Sequence, residues 1–421
     1  MQVLGIFPYP PEVYQREALK KLTYRYDLIR GAFGGILEVG ALSFGLLAAI
    51  RYFEAPDSVK GILSAGIAFG LFLAPFGQLV IARTRLTASQ AGAVCFLAAA
   101  LGYGIASQAD SLWIFTLSFL SANALLAQIP SLFVAVYAKN YSHHDRGRLV
   151  SNTFIVTAIV GAVLSYFGGE YLDTHPEAFG TIFLLMAGAS LLCALAVLRI
   201  PSEPLQIRNP RRWGNFSLIA EDPVFAKMLA AWMILGFANL ALLPLRVEIL
   251  ANPEYGFNLR NSEVIFVTVV IFAVARIVGL KVFGLFFEKM NFLAYRLLIN
   301  GLLFLAILFY FNFDSIVLIA IGSALFGLGM GGGNLAWNLW VTRIAPDHQV
   351  SEYMSVHMSL TGMRGILSPI IAYSLLPVLS PQSLSWISLF LLVVSGAMFI
   401  ALWRNPHVGP KFAGRDNSQA T

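Results

Sequence analysis

Residues 315–341 read SIVLIAIGSALFGLGMGGGNLAWNLWV, 27 positions without one Asp, Glu, Lys or Arg. A helix needs roughly 20 apolar residues to cross about 30 Å of hydrocarbon. The stretch therefore reads as a membrane-spanning helix. Working outward in both directions, runs of comparable length recur at 30–51, 61–82, 88–107, 112–138, 149–169, 178–199, 225–249, 263–286, 294–312, 353–378 and 383–403. With 315–341 they make about twelve transmembrane helices, and the expected class is an all-α membrane protein. Bulk composition agrees: 58% of residues are hydrophobic and 12% charged, against about 25% charged in soluble domains. A soluble chain this apolar lacks the polar groups to cover its surface. The expected surroundings are a lipid bilayer. The net charge of +6 does not point to nucleic acid, because the basic residues sit in short loops between apolar runs.

Those basic residues sort by loop. The N-terminal segment and the loops after even-numbered spans hold 21 of the 28 Lys and Arg, from Arg16 to Arg415. The opposite loops hold Arg51, Lys60 and Arg260, and four more lie within spans. Cationic loops are retained in the cytoplasm. Both termini are therefore expected there, which requires an even span count, with the chain in a cell (inner or plasma) membrane. Pro11 to Arg30 mixes basic and apolar residues and is expected to be an interfacial helix. Residues 1–28 show no cleavable signal pattern. Cys95 and Cys193 lie inside apolar runs, so no disulfide framework is expected.

The longest basic-side loop, 200–223, divides the chain six spans against six. The expected segments are 1–29 (interfacial), 30–199 (first bundle), 200–223 (linker), 224–403 (second bundle) and 404–421 (tail). An internal repeat supports the division. Shifted by 204 residues, Ser151 falls on Ser355, Thr157 on Thr361 and Gly161 on Gly365. A second repeat joins the ends of spans two and eight: Gly77 is followed by Arg83 and Arg85, and Gly284 by Glu288, Lys289 and Arg296. This pattern resembles the major facilitator superfamily signature, a Gly with an acid four residues on and then basic residues. The C-terminal copy carries the acid as Glu288, whereas Ile81 stands there in the first copy. The resemblance implies two pseudo-symmetric six-helix bundles and a cytoplasmic latch of Gly77, Arg85, Gly284, Glu288 and Lys289. It also implies a solute site near mid-membrane between the halves.

Charge at the bilayer centre costs at least about 2.5 kcal/mol, so such residues need partners or water. Glu38 lies mid-way along span one. It reads either as a proton- or substrate-contacting carboxylate or as half of a structural ion pair. In span eleven His357, Thr361, Arg364 and Ser368 share one face. Arg364 has no counterpart in span five, where Val160 stands. It either clamps an anion through its planar fork or pairs with Glu38. Arg276 in span eight is a second candidate for a positive cavity. Span ten offers Asn334, Trp337 and Asn338. Span seven offers Trp232, Asn239 and Arg246 at sevenfold spacing, and span four Asn123 and Gln128 ahead of a kink at Pro130.

His143-His144-Asp145 reads as a solvated loop rather than a metal site, and Gly331-Gly332-Gly333 lacks the Lys-Ser/Thr of a phosphate loop. No catalytic elbow, zinc spacing or nucleotide fingerprint occurs, so neither an enzyme nor a cofactor is expected. The resemblance implies a monomeric secondary transporter working by alternating access. Arg276 and Arg364 outnumber Glu38, which favours a small organic anion, with H+ through Glu38 as a candidate coupling ion. The rival readings are a transport-inactive sensor or assembly protein on the same scaffold, and a membrane-embedded lipid-handling protein.

Overall fold

The computed structural model describes residues 11–203, 216–287, 290–341, 344–345 and 350–405. Among these the chain is helical with no strands. Eight helices are long and apolar enough to cross a membrane: Ala88–Ser107, Arg148–Thr174, Phe179–Leu198, Pro223–Ala251, Asn261–Phe286, Phe292–Phe311, Ile316–Trp337 and Pro381–Arg404. Four further rods complete the twelve, and each departs from a plain apolar helix for a visible reason. Span 1 is Pro11–Val39, one π-helical turn at Gly40–Phe44, then Gly45–Arg51. Span 2 is Asp57–Ser64 and Gly66–Arg83, broken at Ala65. Span 4 is Leu112–Leu126 and Ile129–Asn140, broken where Pro130 removes a backbone donor. Span 11, Val350–Leu375, is unbroken but carries the polar stripe and an internal Pro369.

The segment expected to be an interfacial helix is continuous with span 1. Pro11–Val39 is one rod, and from Thr23 inward it sits inside the first bundle, with Thr23 and Asp27 fully buried. The reason is a polar knot. Asp27 accepts from Arg30 Nε at 2.8 Å, Tyr137 Oη at 2.9 Å and Thr153 Oγ1 at 2.9 Å. Span 5 likewise begins at His143, so the His143-His144-Asp145 segment is helical rather than a loop.

Small residues set the spacing of the rods, as expected where dispersion and close approach replace a hydrophobic driving force. A Cβ on Gly35 would meet the Gly161 nitrogen at 2.7 Å, which seals span 1 onto span 5. The glycine run of span 10 does the same against span 8, where a Cβ on Gly331 would meet Leu280 N at 2.6 Å. Across the halves, span 2 packs along span 11 and span 5 along span 8.

Candidate functional site

Between the halves lies a cavity of about 310 Å³, lined largely by apolar side chains and by Glu38, Asn123, Thr157, Arg246, Thr268 and Arg276. Small-molecule sites begin at roughly this size. Glu38 comes from span 1 and Arg276 from span 8. They meet at 2.7 Å between Arg276 Nη1 and Glu38 Oε1, with the Arg276 side chain 16% and the Glu38 side chain 34% exposed. The carboxylate anticipated for Arg364 is thus held by Arg276. Arg364 faces the other way, into the second bundle. It donates through Nη1 to the Trp232 carbonyl and through Nη2 to Thr361 Oγ1 at 3.3 Å. Gly236 makes the room, since a Cβ there would overlap the Arg364 side chain.

The cavity contains one cation that the sequence reading left out of its candidate site. Arg246 is 4% exposed. Its Nη2 donates to the Thr268 carbonyl at 2.6 Å, while Nε and Nη1 have no partner. Its guanidinium sits 5.0 Å from the Phe272 ring centroid, 5.1 Å from Phe326 and 5.6 Å from Tyr310. Thr268 belongs to a π-helical segment, Phe266–Ile271, whose wider turn frees carbonyls for outside donors. Ser323 Oγ takes the neighbouring Val267 carbonyl at 2.5 Å. Glu38 lies two residues before the other π turn, Gly40–Phe44. Such segments concentrate at functional sites, and here they flank the Glu38–Arg276 pair on both helices. The sevenfold spacing with Asn239 was the available signal for Arg246.

The remaining candidates with described side chains fall outside the cavity lining. Asn239 reaches Met330 Sδ, a lining atom, at 3.9 Å. Gln128 ties span 4 to span 2 by donating to the Gly70 carbonyl at 2.8 Å, and Gly77 packs on its side chain. Trp337 Nε1 donates to Thr361 Oγ1 at 3.3 Å, and its ring lies 5.2 Å from that of His357. Asn334 is half-buried, and the Asn338 side chain lies outside the described residues. Of the latch, Arg85 is exposed with φ 59° and Gly284 faces open space. Glu288 and Lys289 lie outside the described residues. Among the described residues no three His, Cys, Asp or Glu side chains gather as a metal site.

On the face away from the basic loops the halves are tied together. Lys60 Nζ of span 2 lies 2.6 Å from Glu248 Oε1 of span 7, and Glu248 is fully buried. Tyr373 Oη donates to the other Glu248 oxygen at 3.1 Å. Arg51 Nη1 donates to Asn261 Oδ1 at 2.6 Å, and Asp173 accepts from Asn261 N at 2.6 Å and Ser262 N at 3.0 Å. Two of the three basic residues that broke the loop asymmetry, Arg51 and Lys60, are therefore cross-half partners. These contacts hold the halves closed against each other on that face.

A family model described as Major Facilitator Superfamily matches residues 28–346. No match is found among curated proteins. Among solved structures the chain is similar to the nucleoside transporter NupG, with a TM-score of 0.70 and 14% identity over 92% of this chain and 99% of that one. It is also similar to a D-xylose-proton symporter, with 0.68 and 13% over 94% and 98%. A third is the human organic anion transporter TETRAN, with 0.61 and 16% over 93% and 100%. At these identities the likeness establishes the fold.

Proposed function

Given that the chain belongs to the Major Facilitator Superfamily, we propose that this integral membrane transporter carries a small organic anion across its bilayer by alternating access. The carrying observation is Arg246. Glu38 and Arg276 neutralise each other, so the cavity retains one positive charge. That charge is buried, caged by three rings and left with two unpartnered nitrogens. Cation–π contacts offset part of the cost of burial, at about 0.5–2 kcal/mol each. They leave the N–H groups without an acceptor. A carboxylate or similar monoanion supplies both the acceptor and the missing charge, and the apolar lining suits an organic body.

Glu38 then acts as the coupling group. A proton on Glu38 breaks its pair with Arg276 across the halves and frees Arg276 as a second donor to the anion. The termini face the cytoplasm in this reading. A thermal-stabilisation screen of small monoanions tests it, because a ligand of the native state raises apparent stability. The expected result is saturable stabilisation by at least one organic monoanion that Arg246→Gln abolishes. Stabilisation only by neutral or cationic solutes, unaffected by that change, would overturn it.

A further inference from the structure

A second group of buried cations lies inside the C-terminal half, apart from the central cavity. Arg296 of span 9 is 1% exposed and Arg364 of span 11 is 4% exposed. Their guanidinium carbons sit 4.4 Å and 5.9 Å from the ring of Trp232 in span 7. Neither makes an ion pair with a carboxylate among the described residues. His357 and Trp340 complete the group, with the His357 ring 5.5 Å from Trp232 and 5.1 Å from Trp340. None of these residues lines the central cavity.

The hydrogen-bond ledger of this group is one-sided. Its acceptors are taken. Asn300 Oδ1 receives Arg296 Nε at 3.0 Å, and the Trp232 carbonyl receives Arg364. Thr361 Oγ1 receives both Arg364 Nη2 and Trp337 Nε1. Its donors are left over. Arg364 Nε, Asn300 Nδ2, Trp232 Nε1 and Trp340 Nε1 are buried without partners, and so is His357 Nε2, a donor in one tautomer. Buried polar groups are almost always satisfied, and a buried charge calls for a counter-charge. A water molecule would answer the first demand but not the second.

We infer that this cluster binds a small inorganic anion of halide size, held between spans 7, 9, 10 and 11. The packing sets the size. Ring centroids 5.1–5.9 Å apart and the contact of Arg364 with Gly236 leave no room for an organic body. Burial of both arginines excludes a lipid headgroup. The anion supplies the acceptor for the leftover donors and offsets the charge of Arg364, while Arg296 keeps its face on Trp232. The site does not depend on what the central cavity carries.

The test uses the full-length protein and its Arg246→Gln variant, the latter free of the central cavity's response to an organic monoanion, in sodium gluconate replaced stepwise by sodium chloride or bromide at constant ionic strength, reading the unfolding midpoint. In both proteins chloride and bromide should raise it saturably. Trp340→Phe keeps an aromatic ring and removes one donor, and Arg364→Lys removes the planar fork. Each should raise the half-saturating chloride concentration by about tenfold or more, the value of one hydrogen bond to a charged group. Arg246→Gln should leave it unchanged. No rise on replacing gluconate by chloride or bromide in Arg246→Gln would overturn the site. So would a chloride response lost in Arg246→Gln and intact in Trp340→Phe and Arg364→Lys, which would move the anion to the central cavity.

Discussion

Lys60→Met should open the sealed face. Glu248 is fully buried and relies on Lys60 at 2.6 Å, with Tyr373 and Asn252 as its remaining donors. Removing one member of a buried pair costs about 3–5 kcal/mol, because the other charge is stranded. That penalty belongs to the closed arrangement, since separation of the halves returns Glu248 to water. The ratio of open to closed should therefore rise by roughly 150- to 5000-fold, capped once the open state dominates. Ser64 lines the cavity just inside the lock. A Ser64→Cys reporter can be labelled by a membrane-impermeant maleimide applied from the face opposite the termini, against a low background because Cys95 and Cys193 are buried. Labelling should be slow with Lys60 present and fast in Lys60→Met. It should slow again when Glu248→Gln is added, since removing both charges strands neither. Unchanged labelling in Lys60→Met, or equally fast labelling in the double variant, would refute the lock.

Glu38→Gln should abolish proton-driven accumulation in vesicles while exchange persists, and normal accumulation would remove Glu38 from coupling. Arg276→Met should lower the unfolding midpoint by the equivalent of about 1–2 kcal/mol, less than a fully buried pair because Glu38 is a third exposed. Adding Glu38→Gln should recover it, and no recovery would mean that the pair is not what the variant loses. Gly35→Val should destabilise the protein by at least about 1–3 kcal/mol by forcing span 1 off the Gly161 backbone, measured by thermal unfolding. A reporter fused after Thr421 should be cytoplasmic and a tag at Pro56 reachable from outside, and external labelling of the C-terminus would overturn the topology.

The twelve rods were legible because hydropathy and loop charge are one-dimensional signals. Residues 315–341 needed no partner to declare themselves. Glu38 and Arg276 were legible as mid-depth charges for the same reason. Which charges meet is a question of helix rotation, and there the sequence misled. The stripe from His357 to Ser368 does share one face, but that face turns toward span 7, where Gly236 admits Arg364. Arg276 takes Glu38 instead. The Asp27 knot was missed because basic neighbours gave its helix an interfacial pattern. Its partners Tyr137 and Thr153 are more than 100 residues away. The lock residues Arg51 and Lys60 were visible only as exceptions to the charge asymmetry. Their partners needed the halves to be brought together.

The most direct test of the account is counterflow in proteoliposomes. Purified protein is loaded with a small organic monoanion that stabilises it and challenged with traces of the same labelled compound outside. Transient accumulation of label is predicted for the wild type and for Glu38→Gln, since exchange needs no proton cycle. Accumulation should be absent from Arg246→Gln. Counterflow that survives Arg246→Gln undiminished, or that occurs with neutral or cationic solutes and with no anion, would contradict it.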